Sequence, residues 1–108
     1  MKGCEITVRE LKNRLDEGEK IILLDVREPE ELLLAKFQGA LHIPMGDVPS
    51  RTFELDPEAE IVVFCHLGQR SASVTQFLRE RDFEKVKNLR GGIDTWAREI
   101  DPSVGTYG

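Results

Sequence analysis

Two short apolar runs organise the chain: Ile21–Val26, written IILLDV, and Ile61–Phe64, written IVVF. Each is only strand length, and the second is β-branched and aromatic, so both fit strands buried on two faces better than helix turns. Between and after them the period changes. Val8, Leu11 and Leu15 share one helix face, with Thr7 and Glu10 spaced as a capping box at the start and Gly18 as a stop. Pro29, followed by Glu30 and Glu31, predicts a second helix through Leu32, Leu33 and Leu34. Gly39–Pro44 reads as a short strand, and Met45–Leu55 as a short helical connection that Asp56-Pro57 ends. Behind IVVF, Val74, Phe77 and Leu78 fall at i, i+3 and i+4 while Gln69, Arg70, Ser71, Ser73 and Gln76 are polar, which predicts a third helix. Arg79–Asp82 is charged and solvated. Phe83–Leu89 is a last strand with Val86 and Leu89 inward. Gly91-Gly92 then turns into a helix whose apolar face is Ile93, Trp96, Ala97 and Ile100, so Trp96 is a core residue rather than an aromatic platform. Asp101–Gly108 is expected to be an extended or frayed tail.

Strand alternating with helix is the grammar of a parallel sheet covered on both faces. The expected fold class is α/β: a three-layer α/β/α domain around a central, mainly parallel sheet of about five strands. A chain of 108 residues, 40% hydrophobic and 32% charged, is one domain's length, so residues 1–108 form a single domain with a less ordered arm at 1–5 and tail at 101–108. The net charge of −5 is spread among interspersed acids and bases, which leaves no basic footprint for nucleic acid and no basic run for a membrane surface. The beginning, MKGCEITVRE, lacks the apolar stretch of a signal peptide, and two cysteines make no disulfide framework, so a reducing, cytoplasmic setting is expected. Cys4, without a glycine loop or neighbouring arginine, is incidental.

Chemistry concentrates where the second apolar run meets the third helix. Cys65 follows the strand directly, and ligands of open α/β sheets bind outside the carboxyl ends of strands. Amides of a loop entering a helix converge in front of its first turn, where the helix dipole adds about half a positive charge. Helix N-termini and nearby guanidinium groups favour a thiolate, and Arg70 offers such a group five residues along, with a planar fork that can grip an oxyanion. Gly68 lets the loop turn tightly and brings amides close to the sulfur. The plainer reading is a buried strand-end cysteine acting as a small hydrophobe; the glycine, the arginine and the helix start weigh against it. Asp25 and Arg27 lie at the carboxyl end of the first apolar run and read as a fold-stabilising ion pair before a part of the site mouth. His42 reads as a hydrogen-bonded structural residue, without the companions a metal site requires.

The stretch CHLGQRS, Cys65–Ser71, resembles the active-site loop of rhodanese-like sulfurtransferases. Three more stretches resemble the same family in order and spacing: LLDVREPEE ending at Glu31, GALHIP at Gly39–Pro44, and NLRGGIDTW at Asn88–Trp96. Together they reach from Ile21 to Trp96. Ala35–Gln38, AKFQ, departs from the glycine, histidine, isoleucine and proline usual before GA, which bears on loop shape rather than chemistry. The resemblance implies the rhodanese fold, thiosulfate sulfurtransferase activity by double displacement, and a persulfide on Cys65. In that scheme the loop residues His66, Leu67, Gly68, Gln69, Arg70 and Ser71 contact substrate, their amides hold the persulfide, and Arg70 orients an incoming sulfonate. No metal or organic cofactor is implied. The partners would be a small-molecule sulfur donor such as thiosulfate and a cyanide, thiol or protein sulfur acceptor, with no nucleic acid and no membrane. Two rivals stand beside it. Cysteine phosphatases place five residues between cysteine and arginine, whereas Cys65 and Arg70 enclose four, His66–Gln69, a shorter ring that suits one sulfur better than a phosphoryl group. The other rival is a non-enzymatic module that binds a partner or senses oxidants through Cys65.

Overall fold

The computed structural model describes residues 3–108, and its elements follow the hydrophobic pattern closely. The capping box forms as spaced: Thr7 Oγ1 accepts from Glu10 N at 3.1 Å and Glu10 Oε1 accepts from Thr7 N at 2.9 Å. Helix α1 then runs Val8–Asp16, burying Val8 and Leu11. Strands β1 (Glu5–Ile6), β2 (Ile22–Asp25), β3 (Leu41–His42), β4 (Ile61–Phe64) and β5 (Val86–Leu89) form one sheet in the order β1-β5-β4-β2-β3. Every pair is parallel, with Ile22 opposite Ile61 and Ile61 opposite Val86. β4 therefore sits in the middle, buried along its whole length, as its unbroken apolar run requires.

The period of two along β4 splits the core between the two faces. Ile61 and Val63 pack with Val48, Val74, Leu78 and Phe83, under α2 (Val48–Arg51) and α3 (Gln69–Arg79). Val62 and Phe64 pack with Leu11, Ile93 and Trp96, under α1 and α4 (Gly92–Glu99). Phe37 bridges this second face, its ring 5.6 Å from that of Phe64 and 4.7 Å from that of Trp96. The architecture is the expected three-layer α/β/α arrangement, with Trp96 in the core.

Three local expectations change. The segment from Pro29 is a single 3-10 turn, Pro29–Leu33, rather than a helix through Leu34. Three successive leucines cannot share one helical face, and Leu33 is left 88% exposed. The connection Met45–Leu55 breaks into a 3-10 turn at Met45–Asp47, the short α2 and a further turn at Thr52–Glu54. The ends are also better tied than composition suggested. Of the arm, Met1 and Lys2 lie outside the described residues, but Glu5 is in β1 and the Cys4 carbonyl accepts from Asn88 N at 2.7 Å. The tail is a correction too. Asp101 caps a 3-10 turn at Pro102–Val104, the Val104 carbonyl accepts from Lys36 N at 2.9 Å, and Tyr107 docks beside Cys65's loop. Proline and glycine there shape a strap, and a tyrosine with an apolar ring and a polar tip anchors it.

Candidate active site

Cys65 leaves the carboxyl end of β4 and meets α3 through the turn His66–Gly68. Its Sγ accepts from two amides, Gly68 N at 3.1 Å and Ser71 N at 3.4 Å, and lies 3.2 Å from Ser71 Oγ. Gly68 is the N-cap residue of α3, and Ser71 is its third helical position, so the sulfur occupies the place where a capping oxygen would otherwise satisfy the orphaned amides of the first turn. Gly68 does so with φ +108, a conformation that L side chains rarely adopt. Cys65 is only 1% exposed as a residue, yet it lines a hollow of about 190 Å³ together with His66, Leu67, Gln69 and Arg70. The thiol thus sits at the floor of an opening and faces the amides.

The loop is held from behind. Ile93 N donates to the Cys65 carbonyl at 2.9 Å and Asp94 N to the His66 carbonyl at 3.1 Å, so the N-terminal turn of α4 takes both carbonyls. That approach needs Gly92: at φ +63, a Cβ there would stand 2.6 Å from the Cys65 carbonyl oxygen. With two carbonyls drawn away, the amides beyond them are left to the sulfur side.

A buried polar relay supports the sulfur. Asn88 Nδ2 donates to the Gly68 carbonyl at 3.1 Å and to Glu5 Oε2 at 3.4 Å. Its Oδ1 is therefore turned to Ser71 and accepts the hydroxyl proton at 2.5 Å. A hydroxyl has one proton, so while Asn88 holds it Ser71 Oγ can accept a hydrogen bond from the Cys65 thiol, and only by rotating away from Asn88 can it donate to the sulfur. Ser71 and Asn88 are both buried.

At the mouth, Arg70 lines the hollow and also meets a carboxylate. Both terminal nitrogens of its fork donate to Glu31, at 2.7 Å to Oε1 and 2.9 Å to Oε2, so the guanidinium is paired with a carboxylate. Glu31 also accepts from Tyr107 Oη at 2.6 Å and from Glu28 N at 3.0 Å. The Arg70 bonds, with help from Tyr107 and Glu28 N and against its own partial burial, hold the Glu31 carboxyl down at about 2. The same pairing raises Arg70. Burial, with Glu31 adding to it and Arg27 opposing it, pushes the Tyr107 hydroxyl up to about 12. Tyr107 also covers His66: their rings stack at 4.0 Å, and His66 Nε2 lies 2.9 Å from the Tyr107 carbonyl oxygen. Leu67, by contrast, is half exposed.

Asp25 and Arg27 form the expected ion pair, fully buried, with Nη2 to Oδ2 at 2.8 Å and Nε to Oδ1 at 3.0 Å. Arg27 further donates to the Ala35 carbonyl at 2.8 Å and to the Glu31 carbonyl at 3.2 Å, which fixes the turn carrying Glu31. His42 Nε2 meets the Arg27 carbonyl at 2.7 Å, a structural contact. Among the described residues, no group of three or more His, Cys, Asp or Glu side chains is arranged to hold a metal ion, and no helix is long and apolar enough to cross a membrane.

Sequence reasoning missed four contributors: Gly92, Asn88, Glu31 and Tyr107. Asn88 carried a signal, since the period of two puts it on the same face of β5 as Val86, under α3, where a polar side chain needs a partner. Tyr107 carried none.

These features agree with comparisons to known proteins. The model of the rhodanese-like domain matches residues 7–99. The chain is 39% identical to a putative sulfurtransferase, YtwF, of Bacillus subtilis over 94% of this chain and 98% of that one. It is 36% identical to a sulfurtransferase of Allochromatium vinosum over 96% and 97%. Among solved structures, a rhodanese-like domain protein from Staphylococcus aureus superposes with a TM-score of 0.83 at 29% identity, covering 96% of this chain and 98% of that one. A thiol cradled at the start of α3, a five-stranded parallel sheet that carries it, and a family match over most of the length lead to one assignment: the chain belongs to the rhodanese-like family of sulfurtransferases.

Proposed function

We propose that the chain transfers a sulfane sulfur from a donor such as thiosulfate to a nucleophilic acceptor, with Cys65 as the carrier. The Cys65 thiolate attacks the outer sulfur of the donor, a new S–S bond forms, the donor's S–S bond breaks, and sulfite leaves with the electron pair. The enzyme then carries Cys65–S–S⁻. Cyanide or a thiol attacks the outer sulfur in turn and returns Cys65 as thiolate; a protein thiol can serve equally well. Such a covalent intermediate makes the kinetics ping-pong.

The observation that carries this reading is the pair of amides on the sulfur, Gly68 N and Ser71 N, with Ser71 Oγ beside them, at the positive end of α3. Donors fixed before the reaction stabilise developing negative charge without reorganising, and a persulfide extended by one sulfur into the hollow stays within reach of the same first-turn amides. His66, Leu67, Gln69 and Arg70 wall the hollow and are proposed to contact the donor.

Intact-mass measurement after incubation with thiosulfate tests the reading. The wild-type chain should gain one sulfur atom, lose it on addition of cyanide, and show no gain as Cys65→Ser. No gain in the wild type with any sulfane donor would refute it.

A further inference from the structure

Among the described residues, the one guanidinium lining the hollow, that of Arg70, is paired with a carboxylate, and this bears on which donors the site accepts. We propose that Glu31 sets donor specificity: by filling the fork of Arg70 it withholds the guanidinium from sulfonate-bearing donors and leaves the site to sulfur carriers that have no anionic headgroup. This rests on the sulfurtransferase reading above and narrows its substrate class.

Four contacts lock Glu31 in place: two from Arg70, one from the Tyr107 hydroxyl and one from the Glu28 amide. A bidentate arginine–carboxylate pair is among the strongest polar contacts a protein makes, and here two further donors hold the carboxylate from its other sides. Arg27 anchors the same turn through the Glu31 carbonyl and also donates to Tyr107 Oη at 3.2 Å. A sulfonate that sought the nitrogen pair facing Glu31 would have to displace it, breaking two charge-assisted bonds to form two of the same kind, and one that took the remaining N–H donors of Arg70 would meet a guanidinium whose charge is already neutralised. The first would also have to lie beside the displaced carboxylate, where like charges repel.

The other described residues lining the hollow are Cys65, His66, Leu67 and Gln69, so no second arginine or lysine stands among them. Leu67 lines the hollow and is half exposed, and Leu33, two residues beyond Glu31 on the same turn, is almost fully exposed. With its one guanidinium paired to a carboxylate, the hollow suits a small organic hydropersulfide, R–S–SH with an uncharged R. Cys65 attacks its terminal sulfur, the S–S bond to R–S breaks, and the thiolate R–S⁻ leaves with the electron pair, so the sulfur changes carrier without net oxidation.

The test compares kcat/KM for loading Cys65 from thiosulfate with that from the hydropersulfide of 2-mercaptoethanol, in the wild type, Glu31→Gln, Arg70→Gln and the double variant. Glu31→Gln should raise kcat/KM for thiosulfate about tenfold, chiefly through KM, as expected for one released charge near a surface, and change the hydropersulfide value less than about twofold. The gain should vanish in the double variant, because it needs the freed guanidinium. A gain of function cannot arise from misfolding. If Glu31→Gln does not fold, Arg70→Gln decides: a loss of thiosulfate use beyond about tenfold, with hydropersulfide use intact, would mean that Arg70 already serves sulfonates and would overturn the proposal. Loading by both donors with an unchanged ratio in Glu31→Gln would overturn it while sparing the sulfurtransferase reading. Loading by neither donor in the wild type would end both.

Discussion

Replacing Gly92 by alanine should damage the site from behind without touching a substrate. The new Cβ would lie 2.6 Å from the Cys65 carbonyl oxygen and from the His66 carbonyl carbon, closer than the 3.0 Å below which real Cβ atoms essentially never come. Two effects add. A non-glycine residue at φ +63 costs about 1–2 kcal/mol, and forcing a methyl group against packed backbone about 1–3 kcal/mol more. A loss of about 2–5 kcal/mol in a domain of this size lowers Tm by about 8–20 °C. The clash is relieved only if the Cys65–His66 backbone retreats by several tenths of an ångström, which strains the Ile93 and Asp94 bonds and moves the sulfur relative to Gly68 and Ser71. Displacements of about 1 Å can lower rates by about a hundredfold, so loading should fall at least about tenfold at a temperature where the variant is folded. Thermal unfolding by circular dichroism and the rate of persulfide formation by mass measure the two parts. Gly46→Ala is the control: nothing lies within 4 Å of its added Cβ and its φ is not positive, so it should stay within about 0.5 kcal/mol. If Gly92→Ala melts with the wild type, or melts early but loads sulfur at the wild-type rate, the claim that the start of α4 sets the loop is wrong.

Two further outcomes follow from the charged groups. Arg27→Met should cost about 3–5 kcal/mol in urea unfolding, because it leaves the Asp25 carboxylate buried with its main partner gone and frees the turn that carries Glu31; a loss under about 1 kcal/mol would show the pair to be dispensable. Glu31 has a folded-state value of about 2 against an ordinary 4.5, so its contribution to stability is present above 4.5 and lost as pH falls toward 2. The stability gap between wild type and Glu31→Gln should therefore be full at neutral pH and close across that window; a gap that stays constant down to pH of about 2 would contradict the pairing.

The elements that bury a periodic apolar face were legible in advance, because hydrophobic period is a local property of the chain. IVVF became the central strand, Thr7 and Glu10 closed their capping box, and Val74 and Leu78 packed down from α3 onto the sheet. Cys65, Gly68 and Ser71 were legible for the same reason, since a strand, a glycine turn and a helix start within a few residues dictate where the amides point. Expectations failed where no local period existed to carry them. Three adjacent leucines after Pro29 implied a helix, but with no partner surface they became one 3-10 turn, and proline with glycine at 101–108 implied a loose end that Tyr107 in fact anchors.

What lay beyond such reading was every contact made between distant parts of the chain. Arg70 could be named as a cation near the sulfur, but its partner is 39 residues away, and that carboxylate is in turn fixed by a tyrosine 76 residues further along. Whether an arginine is free to bind an anion or already satisfied depends on which acceptor folding delivers to it, and a side chain's own sequence neighbours carry no record of that. The Cys65 thiol and the amides facing it therefore come from one continuous segment, while their support from α4 and Asn88 and the charge at the mouth emerge when the chain closes on itself.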